Sequence, residues 1–99
     1  MNIKIDIVVT RHPALVEYLR EQGLVGEDVK VLSHASKEDV QDKNVLGVLP
    51  HSLSCRTKSF TEIPLHLTAD MRGKELSVED IRKIAGKPAT YIVRKIEEV

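Results

Sequence analysis

A chain of 99 residues with 41% hydrophobic and 30% charged residues has the size and balance of one globular domain, residues 1–99. Lysine plus arginine and aspartate plus glutamate both number 15, so the formal net charge is zero. A long nucleic acid is therefore not an expected partner, because tracking its phosphates needs a basic excess. A small anion needs only local charge, and self-association meets no global repulsion. The single cysteine, Cys55, excludes an intramolecular disulfide and suits a reducing, cytoplasmic compartment. The opening MNIKIDIVV does not read as a signal peptide, and no stretch is apolar enough to suggest a membrane span.

Ile3 to Val9 is rich in β-branched residues and reads as a buried strand. Thr10-Arg11-His12-Pro13 breaks it. Pro13 suits the first position of a helix, where its missing N–H goes unused. Leu15, Tyr18 and Leu19 give that helix an apolar stripe, and Gly23 stops it. Val29 to Leu32 is a short second strand, and Lys37 to Asn44 a loop or weak helical turn. Val45 to Leu49 is continuously apolar, as in parallel strands covered on both faces. Pro50-His51-Ser52 follows, with a short helix expected over Leu53 to Lys58. Phe60 to Thr68 reads as a fourth strand interrupted by Pro64, and prolines belong at sheet edges. Ala69 to Leu76 is a charged loop. Ser77 caps the next helix with Asp80 three residues on, and Gly86 with Pro88 ends it. Ala89 to Ile96 supplies a fifth strand. This alternation predicts an α/β, mostly parallel sheet of about five strands with helices on both faces.

Open sheets of this kind bind ligands beyond the carboxyl ends of their strands. Here those ends are Thr10-Arg11-His12, Ser33-His34 and Pro50-His51-Ser52, which hold three of the four histidines. A helix start beside Arg11 favours an anion, and guanidinium geometry suits phosphate oxygens. His12 can donate, accept or transfer a proton. The alternative is that Thr10 or His12 merely caps the helix while Arg11 pairs with a surface carboxylate. His51 or Ser52 touches the phosphate, or else both sit in a solvent-exposed turn. His34 joins the ligand-binding set, although a loop histidine in water describes it as well. His66 reads as a strand histidine with a structural or interface role, and Cys55 as a core residue. Asp70, Arg72 and Glu75 form a lid or, more simply, a solvated loop. No His-Glu-x-x-His pair and no second cysteine is present, so neither metal nor cofactor is expected. The absence of a Walker loop and of GxGxxG disfavours ordinary nucleotide sites.

Three stretches in order carry a family resemblance: Val9-Thr10-Arg11-His12-Pro13 with Glu17-Tyr18, then Gly47-Val48-Leu49-Pro50, then Arg72-Gly73-Lys74-Glu75-Leu76-Ser77. Together they resemble the Csx-sixteen type of small CRISPR-associated proteins, accessory to type III systems, over nearly the whole chain. The resemblance implies a Rossmann-like (CARF-like) fold and a homodimer, related to the CARF domains that sense cyclic oligoadenylates. It implies a ring nuclease that linearises cyclic tetra-adenylate without metal, by attack of a ribose 2′-hydroxyl that leaves 2′,3′-cyclic phosphate ends. On that reading Arg11 and His12 are catalytic, and Thr10, His34, Pro50, His51 and Ser52 help bind the ring. The family pattern places an apolar and then a polar residue after Leu-Pro. Here both His51 and Ser52 are polar, so which of them faces the ligand stays open. A protein that sequesters the ring without cutting it, and a protein–protein adaptor, are the rival readings.

Overall fold

The run Ile7-Val8-Val9 is buried throughout and forms an inner strand of the sheet, β1. The computed structural model describes residues 3–99. In chain order the elements are β1 (Ile7–Val9), α1 (Pro13–Glu21), β2 (Lys30–Leu32), α2 (Lys37–Val40), β3 (Asn44–Gly47), α3 (His51–Ser54), β4 (Ser59–Glu62), a 3-10 turn (Ala69–Met71), α4 (Val78–Ile84) and β5 (Ala89–Tyr91). The sheet order is β2-β1-β3-β4-β5, parallel except for β5, which runs antiparallel to β4. This is the α/β, mostly parallel architecture that the alternation of elements predicts, and it is Rossmann-like as the family resemblance implies.

Side-chain alternation along the strands divides the core. Val8 of β1 and Leu46 of β3 point to one face, where α1 (Leu15, Val16, Leu19) and α4 (Ile81, Ile84) cover them. Ile7, Val9 and Val45 point to the other, which Val40 of α2 and Leu53 of α3 cover. Burying each such side chain contributes about 1.5–3 kcal/mol. On the first face Arg82 of α4 also forks onto the Glu21 carboxylate of α1, its Nε donating to Oε2 at 2.8 Å. That hydrogen bond holds the Glu21 carboxyl below its ordinary pKa, and the same pairing raises Arg82.

The helix ends follow local chemistry. Pro13 opens α1, and Gly23, at φ +70°, closes it while Leu24 N–H donates to Leu19 C=O at 2.9 Å. Ser77 and Asp80 form the expected reciprocal cap of α4. Ser36 and Asp39 form a second one, which turns the polar stretch after β2 into the single helical turn α2. In both caps the backbone N–H of the serine, and then its hydroxyl, lower the aspartate pKa.

Several boundaries differ from the sequence reading. Pairing in β1 begins at Ile7 rather than Ile3, and the short α3 starts two residues before Leu53 and ends at Ser54 rather than Lys58. β4 stops at Glu62 rather than Thr68, because Pro64 has no N–H to give a ladder. The chain beyond it instead crosses the end of α4: Gly86 N–H donates to Pro64 C=O at 2.7 Å and His66 N–H to Ile84 C=O at 2.9 Å. His66 is thus an exposed residue at this crossing and not part of a strand. β5 ends at Tyr91, five residues before the expected Ile96.

Candidate functional site at the strand carboxyl ends

The strand order changes direction around β1: the chain leaves β1 for β2 on one side and returns to β3 on the other. The connections after β1 and β3 therefore part on opposite faces and leave a crevice beyond the strand ends. Backbone bonds carry the ladder one residue further. Thr10 N–H donates to Leu32 C=O at 2.9 Å, and Val48 N–H donates to Val9 C=O at 3.1 Å. Gly47 makes that second approach feasible, since a Cβ at this position would lie 2.0 Å from the Val9 carbonyl oxygen.

The result is a cleft of about 480 Å³ that Thr10, Arg11, His12, Ser33, His34 and Pro50 line together. Val48, Leu49 and Leu53 give it an apolar side. Thr10 is buried, and its hydroxyl accepts the His12 N–H at 3.1 Å, which bends the chain out of β1 and into α1. Neither Thr10 nor the His12 ring caps the helix, because His12 occupies the N-cap position without a side-chain cap bond. The imidazole is exposed and has no such structural task.

Arg11 is also exposed, and among the described residues no carboxylate stands within ion-pair distance of it. The surface ion pair offered as an alternative reading of this residue is absent there. Its Nη2 instead lies 3.5 Å from His34 Nδ1, across the gap between the β1 and β2 loops. A guanidinium can only donate, so this long, weak contact requires the unprotonated form of Nδ1. His34, the weakest of the sequence candidates, thereby meets Arg11 directly.

The third loop departs from expectation. Pro50 lines the cleft, whereas His51 does not; it lies in a separate groove of about 490 Å³ with Phe60, Glu62 and Tyr91. Ser52 is exposed and is not among the residues lining the Arg11 cleft. The cause is the early start of α3. With Pro50 at the N-cap, His51 already belongs to the helical turn and is carried away from the β1 loop. A helix of four residues also adds little dipole.

The sequence reading did not place Ser33, Ala35, Val48, Leu49 or Leu53 among ligand contacts. The position immediately after each strand was the available signal. Arg11 and His12 also border a second cleft, of about 510 Å³, closed on its far side by Arg72, Gly73, Lys74 and Glu75. Among the described residues no three histidine, cysteine, aspartate or glutamate side chains come together as metal ligands.

A Rossmann-like protein with a cleft bearing Arg11, His12 and His34 at the switch point of its sheet is the class that fold and site define. Residues 7–94 match the family described as "Putative CRISPR-associated protein (Cas_VVA1548)". The match spans most of the chain, and the protein belongs to this CRISPR-associated family. No curated protein and no solved structure matches the chain. Among the described residues no helix is long and apolar enough to cross a membrane.

Proposed function

We propose that this CRISPR-associated protein is a ring nuclease that binds cyclic tetra-adenylate and linearises it, ending the antiviral signal. The observation that carries the reading is the Arg11 guanidinium, free of carboxylates among the described residues, beside His12 and His34 at the switch point. A permanent cation held open to solvent at the start of a nine-residue helix is suited to a phosphodiester.

The reaction needs no bound group. The 2′-oxygen of one ribose attacks the adjacent phosphorus, and the bond from phosphorus to the 5′-oxygen of the next nucleotide breaks. A 2′,3′-cyclic phosphate and a 5′-hydroxyl result. The 2′-hydroxyl gives up one proton and the leaving oxygen takes one, and the His12 imidazole is placed to handle such a transfer. Arg11 stabilises the charge that builds on the phosphoryl oxygens. The apolar side of the cleft, formed by Val48, Leu49 and Leu53, suits the face of an adenine, and a base held there would orient its ribose for in-line attack. Two copies of the site in a homodimer match the two-fold symmetry contained in a four-membered ring.

The test is incubation of the purified protein with labelled cyclic tetra-adenylate in EDTA, with ring, linear and half-ring products resolved. Linear products carrying 2′,3′-cyclic phosphate ends are expected. Tight binding without any cleavage would replace the nuclease with a sequestering protein, and inertness toward every cyclic oligoadenylate would favour an adaptor. Sedimentation in the same samples should show a dimer at micromolar concentration; a monomer with and without ligand refutes the two-fold site.

A further inference from the structure

We infer that Arg72 and Lys74 form a second phosphate subsite, so that one ligand with at least two phosphates straddles Arg11 and His12. This rests on the nuclease reading for the identity of the ligand, but its geometry stands apart from the chemistry of cutting. Arg11 and His12 make a ridge with a cleft on either side, because both residues border the strand-end cleft and the cleft under the loop before α4. The second cleft gathers three permanent cations, Arg11, Arg72 and Lys74, against one lining carboxylate, Glu75. In a chain of zero net charge that is a strong local excess.

Asp80 feels the charge of Lys74 without coming within ion-pair distance of it, so the excess is offset only in part. Asp70 accepts a hydrogen bond from the Thr68 hydroxyl, and Asp80 accepts the Ser77 N–H at 3.0 Å in the cap of α4. Among the described residues neither Arg72 nor Lys74 has a carboxylate within ion-pair distance. Both side chains are exposed, yet the loop that carries them is fixed at its two ends. Met71 packs against the core, and Leu76 is buried within it. Gly73, at φ +77°, turns the chain between the two cations, and Lys74 N–H closes the turn on Met71 C=O at 3.3 Å.

The occupant that fits is an oligonucleotide. One phosphodiester sits at Arg11 and His12, and a neighbouring phosphodiester sits against Arg72, which can grip it with two parallel hydrogen bonds, and Lys74. The subsite binds and positions; it does not touch the reacting atoms.

The experiment uses the full chain and two probes, cyclic tetra-adenylate and inorganic tripolyphosphate, with amide shifts, affinity and single-turnover rate as readouts. Both probes should move the amides of Arg11–His12 and of Arg72–Glu75 together. Arg72→Ala and Lys74→Ala should each weaken ring binding about tenfold, in line with the usual worth of a charge-assisted hydrogen bond. The rate at saturating ring should change less than about threefold. Each substitution should flatten the plot of log affinity against log salt by about 0.7 per cation removed. Lys58→Ala, at the opposite end of the sheet, should change none of these. Ring affinity and salt slope unchanged in the double variant overturn the subsite and leave the nuclease reading intact. Tripolyphosphate that shifts Arg11–His12 but not Arg72–Glu75 overturns it too. A protein that ignores the ring, yet shifts both clusters with tripolyphosphate and loses that response in the double variant, keeps the subsite and loses the nuclease.

Discussion

Replacing Gly47 with alanine should destabilise this protein far more than the same change at Gly23, although both glycines have positive φ. At Gly23, φ +70°, no atom lies within 4 Å of an added Cβ, so the cost is the left-handed backbone alone, about 1–2 kcal/mol. At Gly47, φ +143°, the added Cβ meets the Val9 carbonyl oxygen at 2.0 Å and its carbon at 2.8 Å. The strands would have to part by about 1 Å to reach tolerable contact. They cannot part freely, because that carbonyl oxygen accepts the Val48 N–H at 3.1 Å and flanks the central β1–β3 pairing. Overpacking adds about 1–3 kcal/mol to a conformational cost of about 1–3 kcal/mol, for a total of about 2–6 kcal/mol. A domain of this size loses roughly 4–8 °C in Tm per kcal/mol, so a drop of at least about 8 °C is expected. Thermal unfolding by circular dichroism of wild type, Gly23→Ala and Gly47→Ala measures it. A Gly47→Ala protein that melts within about 2 °C of Gly23→Ala would refute the reasoning, since no steric term would then separate the two sites.

Arg11→Ala should lower ring cleavage about 100- to 1,000-fold, the usual loss for one charge stabiliser, and leave Tm within a few degrees; single-turnover rates and melting curves check both. His12→Ala should cost about 100-fold in rate if the imidazole moves a proton, with Tm again unchanged because its ring caps nothing; His66→Ala, measured alongside, should cut normally. Asp80 has its folded pKa lowered by the Ser77 N–H, so its cap stabilises fully above the ordinary aspartate pKa of about 4 and is lost as pH falls through the lower folded value. Melting curves from neutral to acid pH should therefore show Asp80→Asn less stable at pH 7 and converging on wild type in acid, and a constant difference would contradict the assignment.

Most of the architecture was legible because its signals are local. Val45 to Leu49 reads as a doubly covered strand because every residue is apolar, although β3 ends at Gly47, and Ser77 with Asp80 announces a cap by spacing alone. The first two loops of the site were legible for a related reason: in an alternating α/β chain the residue after a strand is necessarily at a carboxyl end. What was not legible depends on distance along the chain. The path of the chain after β4 is set by a contact between Pro64 and Gly86, and the place of His51 by where one helical turn begins. Arg72 and Lys74 lie more than sixty positions from Arg11 in sequence, and their loop carries no periodic pattern to say which way it folds. Only α4, anchored through Ile81 on the same face as α1, brings that loop back to the first strand's end.

The division of labour that follows bears on how the site is to be tested. Stability resides in side chains that face the two cores, in Gly47 and in the two serine–aspartate caps. Arg11, His12, His34, Arg72 and Lys74 are all exposed and take no part in those features. A cation kept open to solvent contributes little to folding, and among the described residues none of Arg11, Arg72 and Lys74 has a carboxylate within ion-pair distance. Thr10 is the exception, since it is buried and its hydroxyl holds the bend that aims both neighbours into the cleft. Loss of that hydroxyl would therefore move stability and ligand binding together, whereas loss of any of the five exposed groups would move binding or cleavage alone. Activity and melting temperature that fell in parallel across those five would show that they serve the fold, and the site would have to be sought elsewhere.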